Sequence, residues 1–137
     1  MKIRYLLALG LLVLLGCATR QATTVPFLPM LGPTPAGAEE VYLTGMFAGE
    51  LVIDRGCVRV RSASAGQTRT ILWHRGTERG HDSAGYFLRD ARIGKVVRFG
   101  TTFSFGGGEM PEEWVQRDYA EVARRCDPPY GSGWLPQ

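Results

Sequence analysis

One short segment groups the side chains that most often carry metal or hydrolytic chemistry. His74 and His81 lie close to Glu78 and Asp82 in the sequence. Imidazole and carboxylate groups bind metals and transfer protons, so residues 74–83 could form a small hydrolase site or a metal or anion sensor. The spacing matches no structural zinc pattern, and solvated polar side chains of a loop are the simpler interpretation. No metal ligand is assigned, and the segment stands as an alternative functional site.

A glycine run, Gly106 to Gly108, lies between a predicted strand and a predicted helix. Backbone N–H groups in such a loop can bind phosphate at a helix N-terminus. An NTP-binding loop also needs Lys followed by Ser or Thr, which this segment lacks, and Glu109, Glu112 and Glu113 would repel an anion. We expect instead a glycine turn that lets the strand meet the helix closely, with no cofactor.

The sequence shows no further catalytic pattern. No serine stands in the context of a Ser-His-Asp triad, so the protein is not expected to be an enzyme. Five aromatic residues could line a groove for a sugar or a peptide, although core and rim packing is the default for such side chains. They are Trp73, Tyr86, Trp114, Tyr130 and Trp134.

The N-terminus has the three parts of a secretory signal. Lys2 and Arg4 are basic, residues 5–15 are apolar, and Leu14-Leu15-Gly16-Cys17 ends the run. This end resembles the lipobox of bacterial lipoproteins. The resemblance implies a signal peptide over residues 1–16, cleavage between Gly16 and Cys17, and fatty acylation of Cys17, which would then be the first mature residue. An uncleaved membrane anchor and a cut after Ala18 are the alternatives.

Residues 17–40 form the predicted lipidated N-terminus and tether. The segment contains four prolines and no charge between Arg20 and Glu39, which indicates an extended linker. Its apolar residues, among them Val25, Phe27 and Met30, could dock on the domain or contact a partner. The protein is expected on the bilayer of the bacterial envelope through acylated Cys17. Ala18 in place of Asp favours the outer over the inner membrane under the enterobacterial sorting rule.

Lipidation of Cys17 changes the cysteine count. Three cysteines in an exported chain would leave one unpaired, but two are left once Cys17 carries lipid. The cell envelope is oxidising, so we predict a disulfide between Cys57 and Cys126. Two separate buried thiols are the alternative.

The mature domain, residues 41–137, has a β pattern. Five strands are predicted at 46–54, 57–61, 70–73, 86–88 and 96–105, separated by turns that contain glycine. Short strands with regular turns indicate a small closed barrel. A single C-terminal helix is predicted from Pro111 to Cys126, because Val115, Tyr119, Val122 and Cys126 form one apolar stripe. The tail 130–135 is expected to pack beside it.

The charge of the domain excludes an obvious nucleic-acid partner. The chain has 16 basic and 13 acidic residues. Lys2, Arg4 and Arg20 lie before the domain, which is therefore near neutral. Binding to nucleic acid needs a basic excess on one face, and the composition gives no sign of one.

Several short motifs, from Gly56-Cys57 and Leu72-Trp73 to the late Cys126-Asp-Pro-Pro-Tyr, resemble a family of small bacterial exported domains of uncharacterised activity. His74 stands where that family often has Pro. The resemblance implies an OB-like barrel and no particular activity. We therefore expect a lipoprotein whose domain is a binding or structural module for an envelope protein, a peptide or a glycan.

Overall fold

The computed structural model describes residues 24–137, which form eight strands in two sheets and two short helices. The mainly β prediction is confirmed. The strands are β1 Gly45–Asp54, β2 Cys57–Ser62, β3 Thr68–Trp73, β4 Thr77–Asp82, β5 Gly85–Asp90, β6 Val96–Arg98, β7 Thr102–Met110 and β8 Tyr130–Trp134. The helices are α1 Glu112–Asp118 and α2 Ala120–Arg125.

Five strands close into a ring in the order β1-β2-β3-β8-β7, with β7 paired back to β1. Strands β3 and β8 run parallel, and the other neighbouring pairs of the ring are antiparallel. Closure pairs both edges of each ring strand, which removes the exposed edges that favour aggregation.

The interior of the ring holds the main core cluster. Val58 and Val60 of β2 point inward and pack with Leu51, Ile71 and Phe105. Cys57 and Arg59, at the alternate positions of β2, lie on its outer side. The alternation was visible in the sequence, but only the pairing of β2 with β1 and β3 shows which face is core.

The remaining strands, β4, β5 and β6, form a separate antiparallel sheet that covers one end of the ring. Leu88 and Val97 of this sheet are buried in the same cluster as Trp73 and Leu135, which lie where β3 and β8 finish. We call this the closed end of the ring. The opposite end, where residues 62–67 connect β2 to β3, is the mouth.

The helices pack on the outer side of the ring. Val115 of α1 and Val122 of α2 share a second cluster with Leu72 and Tyr130, and Leu72 points away from the interior residues beside it on β3. The single predicted helix is wrong, because the backbone leaves helical geometry at Tyr119, with φ −131° and ψ 51°. The apolar stripe still faces the core.

Within residues 24–137, neither helix has the length and apolarity needed to cross a bilayer.

Three strand predictions are also wrong. The expected loop 74–83 contains β4, whose polar residues lack an apolar alternation because the strand is at a sheet edge. The expected strand 96–105 is split into β6 and β7 by a turn at Gly100, where φ is +80°. The tail after Pro129 is not packed beside a helix but enters the ring as β8.

The predicted disulfide is confirmed: Cys57 and Cys126 are bonded, with an S–S distance of 2.00 Å. It links the start of β2 to the end of α2. Buried Arg59 supports the same junction, since its guanidinium donates to Asp54 Oδ2 at 2.6 Å and to the backbone oxygens of Thr68, Asp127 and Pro128 at 3.1–3.2 Å. The disulfide and the Arg59 guanidinium together hold the chain in place where it passes from the helices into β8.

Part of the proline-rich segment is docked on the domain. Phe27 forms a bridge with Cys57, and Met30 forms one with Trp73. Backbone hydrogen bonds of 2.8 Å join Phe27 to Gly56 and Val58, and the Arg125 guanidinium lies 3.9 Å from the centre of the Phe27 ring. Of the two alternatives, docking on the domain therefore holds for Phe27, Leu28, Met30 and Leu31, which pack at the closed end of the ring, whereas Val25 is 56 % exposed.

Replacing both Cys57 and Cys126 with Ala should lower the free energy of unfolding by up to about 4 kcal/mol, because the bond joins residues 69 apart in the unfolded chain. Urea denaturation of the purified protein measures the change. Cys17→Ser is the matched control, since it removes a cysteine without breaking the bond. A loss below about 1 kcal/mol would contradict a role for the bond in constraining the unfolded chain.

Candidate functional site

The mouth of the ring contains a pocket of about 240 Å³. It lies between the first residues of β1, the last residues of β2 and the loop 62–67. Apolar side chains line its interior, and polar side chains stand at its rim. Its lining residues are Phe47, Ala48, Val60, Ser62, Ala65, Gln67, Arg69, Ile71, Phe105, Gly108 and Ser132.

Two glycines of β8 contribute no side chains to the interior of the ring beside this pocket. Gly131 and Gly133 face the interior, where a Cβ atom would lie 3.1 Å from Ile71 Cδ1 and 2.6 Å from Ile71 Cγ2, respectively. Side chains at these positions would fill the ring or force Ile71 to move. The interior is therefore filled by side chains around Ile71 and Trp73 and is open between Ile71 and the mouth.

The glycine run of β7 has a different role from the predicted turn. Gly106 to Gly108 lie within β7, and the expectation of a turn is wrong. A Cβ on Gly106 would lie 2.2 Å from Trp134 Cε2, and one on Gly108 would lie 2.4 Å from Leu43 Cδ1. Gly106 and Gly108 thus form a flat surface on the outside of the ring, over which Trp134 and Leu43 pack.

Aromatic rings form the apolar side of the mouth. Phe47 stacks on Phe105 with ring centroids 5.6 Å apart, and Phe105 contacts Trp73 at the same centroid distance deeper in the core. Phe105 is buried, whereas Phe47 is 41 % exposed. The exposed ring of Phe47 is therefore a contact surface already supported by the core.

The polar rim carries little net charge. Arg69 donates to the Tyr130 carbonyl at 3.2 Å and to Glu109 Oε1 at 3.1 Å, so its charge is partly neutralised. Ser62 donates its backbone N–H to the Gln67 carbonyl at 2.8 Å, which closes the loop above the pocket. The exposed Gln67 amide and the half-engaged Arg69 guanidinium can each donate to a ligand. The arrangement suits an apolar group with a polar neighbour rather than a charged ligand.

A second polar cluster lies outside the ring. His74 is buried and its Nδ1 is 2.9 Å from Glu40 Oε1, while its ring stacks on Tyr42 with centroids 4.3 Å apart. The Tyr42 hydroxyl donates to Glu40 Oε2 at 2.9 Å and accepts from Arg92, whose guanidinium also pairs with buried Asp90. We call these five residues the clasp, because they tie residues 40–42 to the segments on either side of β4 and β5.

Hydrogen bonds and burial shift the pKa values of Glu40, Tyr42 and Asp90 in the clasp. The bond from His74, followed by that from Tyr42, lowers the pKa of Glu40. Burial, followed by the Glu40 carboxylate, raises the pKa of Tyr42. The Arg92 guanidinium lowers the pKa of Asp90. Each charged group in the clasp thus has a partner, as expected of a structural network.

The predicted polar segment 74–83 does not form one site. His74 belongs to the clasp, whereas His81 is exposed on β4 and its ring contacts Tyr86. Glu78 is paired with Arg89 and Asp82 with Arg98. Among residues 24–137, no three His, Cys, Asp or Glu side chains are grouped as a metal site would require.

The five aromatics considered for a groove are also separated. Trp73 lies in the interior cluster and Tyr130 in the cluster under the helices. Trp114 is 51 % exposed on α1, and Trp134 covers Gly106 and donates its indole N–H to the Leu43 carbonyl at 3.1 Å. Phe47, which does line the mouth, was not singled out from the sequence.

Gly16 and Cys17 lie outside the described residues, so cleavage and lipidation at this position stay predictions. No family model, curated protein or solved structure matches this chain.

Glu40→Gln should make the protein less stable at neutral pH and should reduce its loss of stability in acid. The carboxyl has a pKa of 4.5 when unfolded and a lower one when folded. Its stabilising contribution is therefore present above pH 4.5 and is lost as the pH falls through the folded value. Urea denaturation between pH 7 and pH 3 measures the difference. Glu39→Gln, at the exposed neighbouring position, is the control; equal pH dependence in the two variants would contradict the clasp.

Proposed function

We propose that the protein is a lipid-anchored lipoprotein of the bacterial envelope whose β domain binds a partner through the mouth of the ring. Cys17 carries the anchor in this proposal, after cleavage behind Gly16. The observation that carries the binding function is the open pocket, in which the exposed ring of Phe47 lies over the buried ring of Phe105.

The anchor follows from the sequence before the domain. Leu14-Leu15-Gly16-Cys17 has the pattern of a lipobox, and the apolar run 5–15 is shorter than the roughly 20 residues that span a bilayer. One acyl chain binds membranes weakly and reversibly, whereas two or more hold a protein stably. Acylation of the Cys17 thiol and of the new amino terminus would therefore suffice without a membrane-spanning helix. Ala18 favours the outer membrane as the destination.

The strand order of the ring supports an OB-like interpretation. In this reading β1, β2, β3, β7 and β8 are the five barrel strands, and β4 to β6 are an insertion between the third and the fourth. OB folds bind oligomeric ligands across one sheet face and its adjoining loops. Fold analogy does not identify a ligand, so the argument for binding rests on the pocket itself.

The chemistry of the mouth favours a protein or peptide over a glycan. A pocket of about 240 Å³ with apolar walls fits one large apolar side chain. A sugar would need several hydrogen bonds to its hydroxyl groups, whereas the rim offers few free donors, because part of the Arg69 guanidinium is already bonded to Glu109 and Tyr130. Ser62 and Gln67 can donate to the partner's backbone beside the inserted side chain.

Changing Cys17 to Ser should release the protein from membranes without unfolding its domain, because Ser lacks the thiol that is acylated. Fractionation of cells into membrane and soluble fractions measures the first effect. Urea denaturation of the released protein measures the second. A Cys17→Ser variant that still sediments with membranes would show that the anchor lies elsewhere.

A photocrosslinking amino acid in place of Gln67 should capture a partner in intact cells, because Gln67 stands at the rim of the mouth. The same replacement at Gln116, exposed on α1, is the matched control. Mass spectrometry of the crosslinked band identifies the partner as protein or glycan. Adding Phe47→Ala should reduce the yield at Gln67 on the order of ten-fold, as loss of a central aromatic contact does in interfaces. Equal capture at both positions, or no effect of Phe47→Ala, would contradict binding at the mouth.

A further inference from the structure

The chain enters the described domain at the closed end of the ring. Phe27 is bridged to Cys57, the first residue of β2, and Met30 is bridged to Trp73, the last residue of β3. The mouth lies at the other end of these strands. Strand β2 has six residues, which separate the two ends by about 20 Å.

The distance from the proposed anchor to this entry point is short. Seven residues lie between Cys17 and Val25, and the eight Cα–Cα steps span at most about 28 Å when the chain is fully extended. The root-mean-square length of a flexible chain of this size is about 16 Å. A domain held this closely brings the surface around Val25 to the membrane more readily than it brings the mouth.

The charges of the domain are distributed unevenly. Residues 75–98, which contain the three-stranded sheet, carry six basic and three acidic side chains, a net charge of +3. The rest of residues 24–137 carry seven basic and ten acidic side chains, a net charge of −3. The basic side chains of the sheet region are Arg75, Arg79, Arg89, Arg92, Lys95 and Arg98.

The surface of this sheet also suits a membrane interface. Phe87, Arg89, Val96 and Arg98 face away from the core, because Leu88 and Val97 at the alternate positions are buried in it. Val96 is 46 % exposed, and the Arg98 guanidinium lies 5.5 Å from the centre of the Phe87 ring. Arg89 and Arg98 are paired with Glu78 and Asp82 of the same sheet, so the net positive charge of the region comes from Arg75, Arg79 and Lys95. Basic groups near exposed apolar side chains are typical of surfaces that bind anionic headgroups.

The entry point and the sheet adjoin each other. Val25 borders the same surface depression as Arg79, Gly80, His81 and Tyr86, and Arg79 donates to the Pro26 carbonyl. The chain that leads to Cys17 therefore leaves the domain beside β4, at the edge of the basic sheet.

From the entry point, the short tether and the charge distribution, we propose that the sheet β4-β5-β6 lies against the anionic headgroups of the membrane that carries Cys17. The mouth then faces away from that membrane. This inference rests on the proposed lipid anchor. It narrows the partner of the mouth to a molecule presented from the aqueous side, such as a soluble protein or one attached to another layer of the envelope.

The test uses the full-length lipidated protein, reconstituted on vesicles of phosphatidylglycerol with phosphatidylcholine and on vesicles of phosphatidylcholine alone. One spin label is placed at Val96→Cys on the sheet and another, in a separate variant, at Ser64→Cys in the loop over the mouth. The native cysteines are lipidated or disulfide-bonded in this proposal, so each variant has one reactive thiol. Collision of the label with a water-soluble nickel complex reports its exposure.

On anionic vesicles the label at position 96 should be on the order of three-fold less accessible to nickel than on neutral vesicles, with no change at position 64. Raising the salt to 1 M should restore accessibility, because the Debye length falls to about 3 Å. The double variant Arg75→Glu/Lys95→Glu should abolish the effect and stay on the vesicles. Arg61→Glu/Arg124→Glu makes the same change in net charge outside the sheet and should retain the effect.

The possible failures are distinguishable. Protein that leaves both kinds of vesicle overturns the anchor, and the orientation with it. Protein that stays bound with both labels equally accessible, or with position 64 protected instead of 96, overturns the orientation alone. Loss of the effect in Arg61→Glu/Arg124→Glu as well as in Arg75→Glu/Lys95→Glu overturns the assignment to the basic sheet.

Discussion

Strand β8 is paired on both edges, in parallel with β3 and antiparallel with β7, and these pairings close the ring. The parallel pair places β8 beside β3, although the second sheet and both helices lie between these two strands in the sequence. Gly131 and Gly133 allow the close approach of Ile71, and the Cys57–Cys126 bond with Arg59 directs the chain into place. The interior core and the mouth both exist because this strand completes the wall.

The two ends of the ring differ because different segments meet them. At one end, Leu88 and Val97 of the second sheet complete the core, and the docked residues 25–31 run across the strand ends. At the other end the loop 62–67 leaves the interior open above Ile71. This difference connects the two proposals. The segment that leads to the proposed anchor at Cys17 joins the closed end of the ring, and the proposed partner binds at the mouth, which is the opposite end.

Several features were predictable because they depend on local pattern or on counting. The first three ring strands lie near their expected positions, and the structure contains the disulfide that was predicted by assigning Cys17 to lipid and pairing the other two cysteines. Strand β4 was missed because Thr77 to Asp82 are polar and are held in a strand by pairing with β5. The role of Phe47 was missed because its contact with Phe105 joins strands that are far apart in the sequence.

The sequence alone was enough to predict the mainly β class and the cysteine pair, since strand alternation and the number of cysteines can be read without the fold. The lipid anchor and the envelope location are predictions from the N-terminal pattern. The tertiary structure alone decided where the glycines lie, which polar residues meet, and where the pocket opens. His74 illustrates the difference: it is four residues from Glu78 in the chain but bonds Glu40 across the fold. The side chains of a site must lie at particular distances from one another, and pairing between strands far apart in the sequence fixes those distances.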